Sequence, residues 1–180
     1  MASKMFFAGS GGQGIMLMGQ IVASAAILDD KATTFFPSYG PEMRGGTANC
    51  TVIVSDKPIS SPLIFESDCV VAMNLPSMLK FEPTLKAGGV LLLNKSLIHQ
   101  DAKRDDITIH EIPVSDLAHE LGDNRVANMI MLGAFVRTTN IVSSDKLEQV
   151  IKTTFETKGA ELTELNLKAF HLWNPRSEEK

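Results

Sequence analysis

Cysteine is scarce. Only Cys50 and Cys69 occur among 180 residues, and they form no C-x-x-C spacing. Two separate thiols cannot ligate a four-iron cluster, and they read most simply as small buried apolar residues. Charge of one sign is also lacking. The formal net charge is −4, with acids and bases mixed along the chain, which argues against a duplex nucleic-acid footprint. No apolar run is long. Met5-Phe6-Phe7-Ala8 stops at Gly9, too short for a signal-peptide core, and the stretch from Ile15 to Leu28 is interrupted by Gln20 and Ser24. It falls short of the ~20 residues that a membrane-spanning helix needs. A soluble cytoplasmic protein is therefore expected, and the glycosylation-like triplets at Asn49 and Asn94 are accidental. The four histidines are scattered without metal-ligand spacing, so no metal site is expected.

What remains is an ordinary globular composition, 44% hydrophobic and 21% charged. A chain of this size buries about 70% of the surface its unfolded form exposes and needs no disulfide or metal staple. Short apolar runs alternate with helical spacings. Lys4 to Ala8, Ala32 to Phe36, Thr47 to Val54, Asp68 to Asn74, Val90 to Leu93 and Ile107 to Ile112 read as strands. Continuous apolar strands suit a parallel sheet buried on both faces. Ile15, Leu17, Met18, Ile21, Val22, Ala25 and Leu28 recur at helical spacing, and Pro76 to Leu85 is a helix set off from the next strand by Gly88-Gly89.

Asn94 to Asp106 reads as a surface connection. Val126, Met129, Ile130, Gly133 and Val136 form one apolar stripe, and a following helix, capped by Ser143 or Ser144, buries Leu147, Val150, Ile151 and Phe155. Gly159 breaks it, and Leu162, Leu165, Ala169 and Leu172 mark the last helix. The expected fold class is α/β, a three-layer α/β/α sandwich with a mostly parallel, Rossmann-like central sheet. Residues 1–175 form one domain in this reading, with a frayed tail at 176–180.

Two glycine-rich stretches carry the candidate chemistry. Gly9-Ser10-Gly11-Gly12-Gln13-Gly14 lies between a predicted strand and a predicted helix. Bare backbone there can turn sharply and approach a pyrophosphate at the positive end of a helix. Gln13 adds an amide able to reach a phosphate or ribose oxygen; the alternative is that these glycines only permit a tight turn. The acidic residue that a dinucleotide site places about 20 positions further on is missing. Pro37-Ser38 stands at that point, and Asp29 and Asp30 precede the second strand.

The second stretch runs Pro37-Ser38-Tyr39-Gly40-Pro41-Glu42-Met43-Arg44-Gly45-Gly46. Arg44 beside Gly45 and Gly46 can offer a planar fork to a phosphate or carboxylate. Tyr39 can stack or donate its hydroxyl, and Glu42 can orient Arg44; a surface turn with an exposed ion pair is the plainer alternative. Asn128, just inside an apolar helix, either contacts a ligand or caps that helix.

With Val54-Ser55-Asp56-Lys57-Pro58-Ile59, Ser61-Pro62, Asp68, and Asn128 with Leu132-Gly133-Ala134, these stretches resemble, over most of the chain, the gamma subunit or fused gamma domain of the 2-oxoacid:ferredoxin oxidoreductases. The 2-oxoglutarate and branched-chain members are the most similar. The resemblance implies a cytoplasmic, oxygen-sensitive complex that decarboxylates a 2-oxoacid oxidatively to its acyl-CoA and reduces ferredoxin or a similar acceptor. It implies alpha, beta and possibly delta partner subunits that hold thiamine diphosphate, magnesium and the iron–sulfur clusters. No G-D-G segment of a thiamine site occurs here, so an isolated chain is expected to be inactive. The expected contribution of Gly9, Gly11, Gly12, Gln13, Gly14, Tyr39, Glu42, Arg44, Gly45, Gly46 and Asn128 is contact with coenzyme A. Two other readings stay open: a free-standing NAD(P)- or FAD-binding oxidoreductase, and a purely structural subunit, with a homodimer possible for the isolated chain.

Overall fold

The computed structural model describes residues 2–39 and 47–174, Tyr39 by its backbone alone. Glu42, Arg44, Gly45 and Gly46, the Tyr39 side chain and the tail at 176–180 lie outside the described residues. Six strands, β1 (Ala2–Ser10), β2 (Ala32–Tyr39), β3 (Thr47–Ser55), β4 (Ser67–Ala72), β5 (Leu85–Asn94) and β6 (Thr108–Ile112), form one sheet in the order β2-β3-β1-β4-β5-β6. The β1–β4, β4–β5 and β5–β6 pairings are parallel; β3 is antiparallel to both of its neighbours. The sheet is mostly parallel, as expected, and β3 alone runs against the rest. The reason is topological. β1, the helix α1 (Ile15–Leu28) and β2 make a crossover that leaves a gap between two parallel strands, and β3 returns through that gap.

Successive residues of a strand face opposite ways, so the sheet feeds two cores. Met5, Phe7, Cys50, Val52, Val71 and Leu92 pack with α1 and the helices α4 (Ala127–Thr139), α5 (Ser144–Glu156) and α6 (Ala160–Leu172). Phe6, Ala8, Val70, Ala72, Leu91 and Leu93 pack on the other face against Met78 and Phe81 of α2 (Leu75–Phe81) and against Ile98. A short helix, α3 (Val114–Glu120), follows β6. Among the described residues no helix is long and apolar enough to cross a membrane.

Several local expectations are corrected. The apolar stripe of α4 is a helix buried all round from Ala127 to Val136, because the sheet, α1, α3 and α6 surround it. Gly88-Gly89 does not precede β5 but lies inside it. Gly88 has φ +74° and donates its N–H to Asp106 O, and the β4–β5 register shifts nearby between Ser67 and Cys69, so the glycines accommodate a bulge. Ser143 does not cap α5 with its side chain; its hydroxyl donates to Asp29 Oδ1 at 2.7 Å, tying α5 to the end of α1. Leu28 and Leu172 are about 40% exposed, at 39% and 40%, and Val150 is half-buried, whereas Asn166 and Phe170 take the buried face of α6. The connection after β5 is pinned rather than loose. Ile98 is fully buried, and the buried Glu82 carboxylate accepts from the backbone N–H groups of Lys103 (2.5 Å) and Arg104 (2.9 Å).

Both thiols are buried, at 0% and 1% exposure. Burial pushes Cys50 up to about 12 and raises Cys69 as well. A thiolate is the reactive form. In the native protein neither cysteine should react with a thiol reagent at pH 8, and both should react once urea unfolds the chain; fast native labelling would show the cores to be more open than described.

Candidate functional site

The glycine turn sits at the carboxyl end of β1, where parallel α/β sheets place their ligand crevices. Its glycines do different things. A Cβ on Gly9 would lie 2.6 Å from Gln13 Oε1 and 2.7 Å from Ile15 Cδ1, so Gly9 lets the turn fold back on itself. Gly14, with φ +72°, starts α1 without a capping side chain, and a Cβ there would lie 2.1 Å from Asn128 Nδ2. Gly12 has φ +95° with nothing within 4 Å of where its Cβ would be, and Gly11 is also exposed. Gly11 and Gly12 therefore present bare backbone, while the first-turn N–H groups of α1 have no side-chain cap.

Gln13 is more committed than its sequence suggests. Its Oε1 accepts from Ser10 N at 2.7 Å, and its Nε2 donates to Met73 O at 3.2 Å. The amide pins the turn to the end of β4 and keeps one Nε2 hydrogen for a ligand. Asn74 continues this seam, donating to Ser10 Oγ at 2.6 Å while capping α2 through Ser77 N.

Asn128 does not cap α4, whose start carries no side-chain cap bond. It is 4% exposed, and its Oδ1 has no hydrogen-bond partner among the described residues. A buried, unmet polar atom costs about 1–3 kcal/mol unless water or a ligand satisfies it. Asn128 lines a cleft of about 170 Å³ together with Gly12 and Gln13 and with five residues absent from the sequence-based site, Met73, Ser115, Asn124, Arg125 and Ala127. The missed signal was local: Asp123-Asn124-Arg125 carries a cation three positions before Asn128.

Strand register places the strand ends that flank the second glycine-rich stretch. Ser10 pairs with Thr47, and Tyr39 pairs with Ala48. The strand ends flanking 40–46 thus lie at the same end of the sheet as the glycine turn.

Comparison with known proteins identifies the family and the fold. Residues 4–172 match the family model for pyruvate ferredoxin/flavodoxin oxidoreductase. The 2-oxoglutarate synthase subunit KorC of Methanocaldococcus jannaschii is 39% identical, over 94% of this chain and 91% of that protein. A gamma subunit of keto/oxoacid ferredoxin oxidoreductase from Geobacter sulfurreducens superposes with a TM-score of 0.79 at 33% identity, over 94% of this chain and 95% of that one. The 2-oxoglutarate:ferredoxin oxidoreductase of Magnetococcus marinus, solved with 2-oxoglutarate, coenzyme A and succinyl-CoA bound, superposes with a TM-score of 0.88 at 26% identity. The match covers 94% of this chain but 30% of that longer polypeptide. The resemblance read from the two glycine-rich stretches and the sandwich fold both hold, and the chain belongs to the pyruvate ferredoxin/flavodoxin oxidoreductase family.

Proposed function

We propose that this chain is the gamma-type subunit of a cytoplasmic 2-oxoacid:ferredoxin oxidoreductase and forms the coenzyme A side of its active centre. The overall reaction converts a 2-oxoacid and coenzyme A to acyl-CoA and CO2, with two electrons passing to ferredoxin or a similar acceptor. Alpha and beta subunits, and a delta subunit where present, would hold thiamine diphosphate, magnesium and the iron–sulfur clusters. This chain would bind and orient the thiol-bearing acceptor; positioning, rather than bond making, is its contribution. The observation that carries the reading is the cleft itself, in which bare Gly12 backbone faces a buried Asn128 amide with an unmet oxygen. Such a site suits a ligand arriving from outside the chain that brings a phosphate to the bare backbone and an N–H or O–H donor to Asn128 Oδ1.

Arg44, on the segment between Tyr39 and Thr47, is assigned to a phosphate of the same ligand. A charge-assisted contact is worth about 1.5–3 kcal/mol, so Arg44→Ala should raise the apparent KM for coenzyme A about 10- to 100-fold in the reconstituted complex. The KM for the 2-oxoacid should stay within about twofold, because uniform binding of the acyl acceptor is what is lost. An unchanged coenzyme A dependence would overturn the assignment, and micromolar binding of NAD, NADP or FAD by the isolated chain would favour a free-standing oxidoreductase.

A further inference from the structure

The last turn of α6 carries a cluster of charged side chains outside the cleft. Arg137 of α4 donates through Nη1 to Phe170 O at 2.9 Å and through Nη2 to His171 Nδ1 at 3.3 Å. On the other side of the ring, His171 Nε2 lies 3.1 Å from Glu148 Oε2 of α5, and Lys152 pairs with Glu148 Oε1 at 2.7 Å. Three helices, α4, α5 and α6, therefore meet at one imidazole.

The partners fix the state of that ring. A guanidinium has donors only, so the Nδ1 facing it is the acceptor and carries no proton. A carboxylate has acceptors only, so the Nε2 facing Glu148 carries the proton. Glu148 stays ionised, because its bond to Lys152, opposed in part by desolvation, holds the carboxyl below the usual range. Arg137 keeps its charge as every guanidinium does, and its Cζ lies over the Phe170 ring, 5.2 Å from the centroid. Other charged groups border α6. Lys168 stands one turn earlier on the helix, and Asp123 and Arg125, beside the turn Asn124–Val126 that also packs on α6, are bonded to each other. His110 of β6 faces Trp173, just after α6, with ring centroids 6.3 Å apart.

A second proton on the His171 ring breaks one of its bonds and keeps the other. Nδ1–H would aim a donor at a donor, with two cations 3.3 Å apart, whereas Nε2–H still donates to Glu148. Arg137 is held in place, because its Nη1 is tied to Phe170 O. The ring gives way instead. We infer that His171 is a proton-operated latch on the C-terminal turn of α6: neutral, it joins the helix to both α4 and α5; protonated, it releases α4 and stays with α5. Imidazole suits this role, as the side chain whose charge changes within about pH 5 to 8. The His171 side chain is 49% exposed, so protons reach it without unfolding, and solvent screens the repulsion enough to confine the effect to this turn. The latch lies outside the coenzyme A site and does not depend on it.

Amide hydrogen exchange of the full chain at about pH 8 and about pH 5.5, corrected for intrinsic rates, tests this. Protection of the amides from Phe170 to Trp173 should fall about 2- to 10-fold at the lower pH, the worth of one hydrogen bond, while α1 and α4 keep theirs. His171→Gln should abolish the change, since its amide accepts from Arg137 and donates to Glu148 at either pH. His110→Gln should retain it. In the parent at about pH 8, ring nitrogen shifts should place the His171 proton on Nε2, a measurement that needs no variant. Equal protection at both pH values in the parent would overturn the latch, as would a proton on Nδ1 or a change that persists in His171→Gln. So would a change that vanishes in His110→Gln, or a loss of protection throughout the chain, which is acid unfolding.

Discussion

Gly133→Ala is expected to destabilise the chain by about 3 kcal/mol, the upper end of the usual cost of overpacking. Helix propensity alone argues the other way, since alanine is better than glycine in a helix interior by about 1 kcal/mol. Packing decides the sign. The new Cβ would lie 2.0 Å from Phe170 O and 2.7 Å from Arg137 Nη1. The first of these is backbone of α6 and cannot swing aside as a side chain would. Nor can α4 retreat, because it is buried all round from Ala127 to Val136. The same carbonyl accepts from Arg137 Nη1 at 2.9 Å, so forcing α6 away also breaks a contact made by a partly desolvated guanidinium. Urea unfolding of the variant beside the parent measures the effect. A neutral or stabilising result would mean that α4 and α6 are further apart than described.

Gly14→Ala should act on both stability and function. A side chain at φ +72° costs about 1–2 kcal/mol from backbone conformation alone. Its Cβ would also fall 2.1 Å from Asn128 Nδ2 and 3.3 Å from Asn128 Cβ, so the amide must leave its place in the cleft. The expected outcome is a stability loss of about 2 kcal/mol with a rise of tenfold or more in the KM for coenzyme A. Gly12→Ala is the matched comparison. Gly12 shares the left-handed conformation, at φ +95°, but has open space where its Cβ would be. It should show a similar conformational cost without displacing Asn128. Equal kinetic effects of the two substitutions would separate Asn128 from ligand binding.

Much of the architecture was legible because burial leaves a periodic imprint. Continuous runs such as Val90 to Leu93 marked strands covered on both faces, and the spacing of Ile15, Met18, Ile21, Val22 and Ala25 marked α1. The strand–glycine–helix context located the turn at a strand end. Periodicity fails where an element is enclosed, and α4 shows why: a helix covered on every side has no polar face to betray its orientation. It fails again for α6, where Leu172 has the apolar character of a core residue yet faces out, while Asn166 is buried by donating to Leu162 O.

The sequence by itself determined the layered class of fold, the order of its elements apart from α3 and the backbone freedom at Gly9 to Gly14, because these depend on residues close together in the chain. Tertiary structure alone decided which neighbours those residues meet. The reversed insertion of β3, the commitment of Gln13 to Met73, the empty space over Gly12 against the crowding at Gly14, and the approach of Asp123-Asn124-Arg125 to the glycine turn all join positions far apart in sequence. Such pairings are set by sheet order and by helices packing across it, which local propensity does not encode.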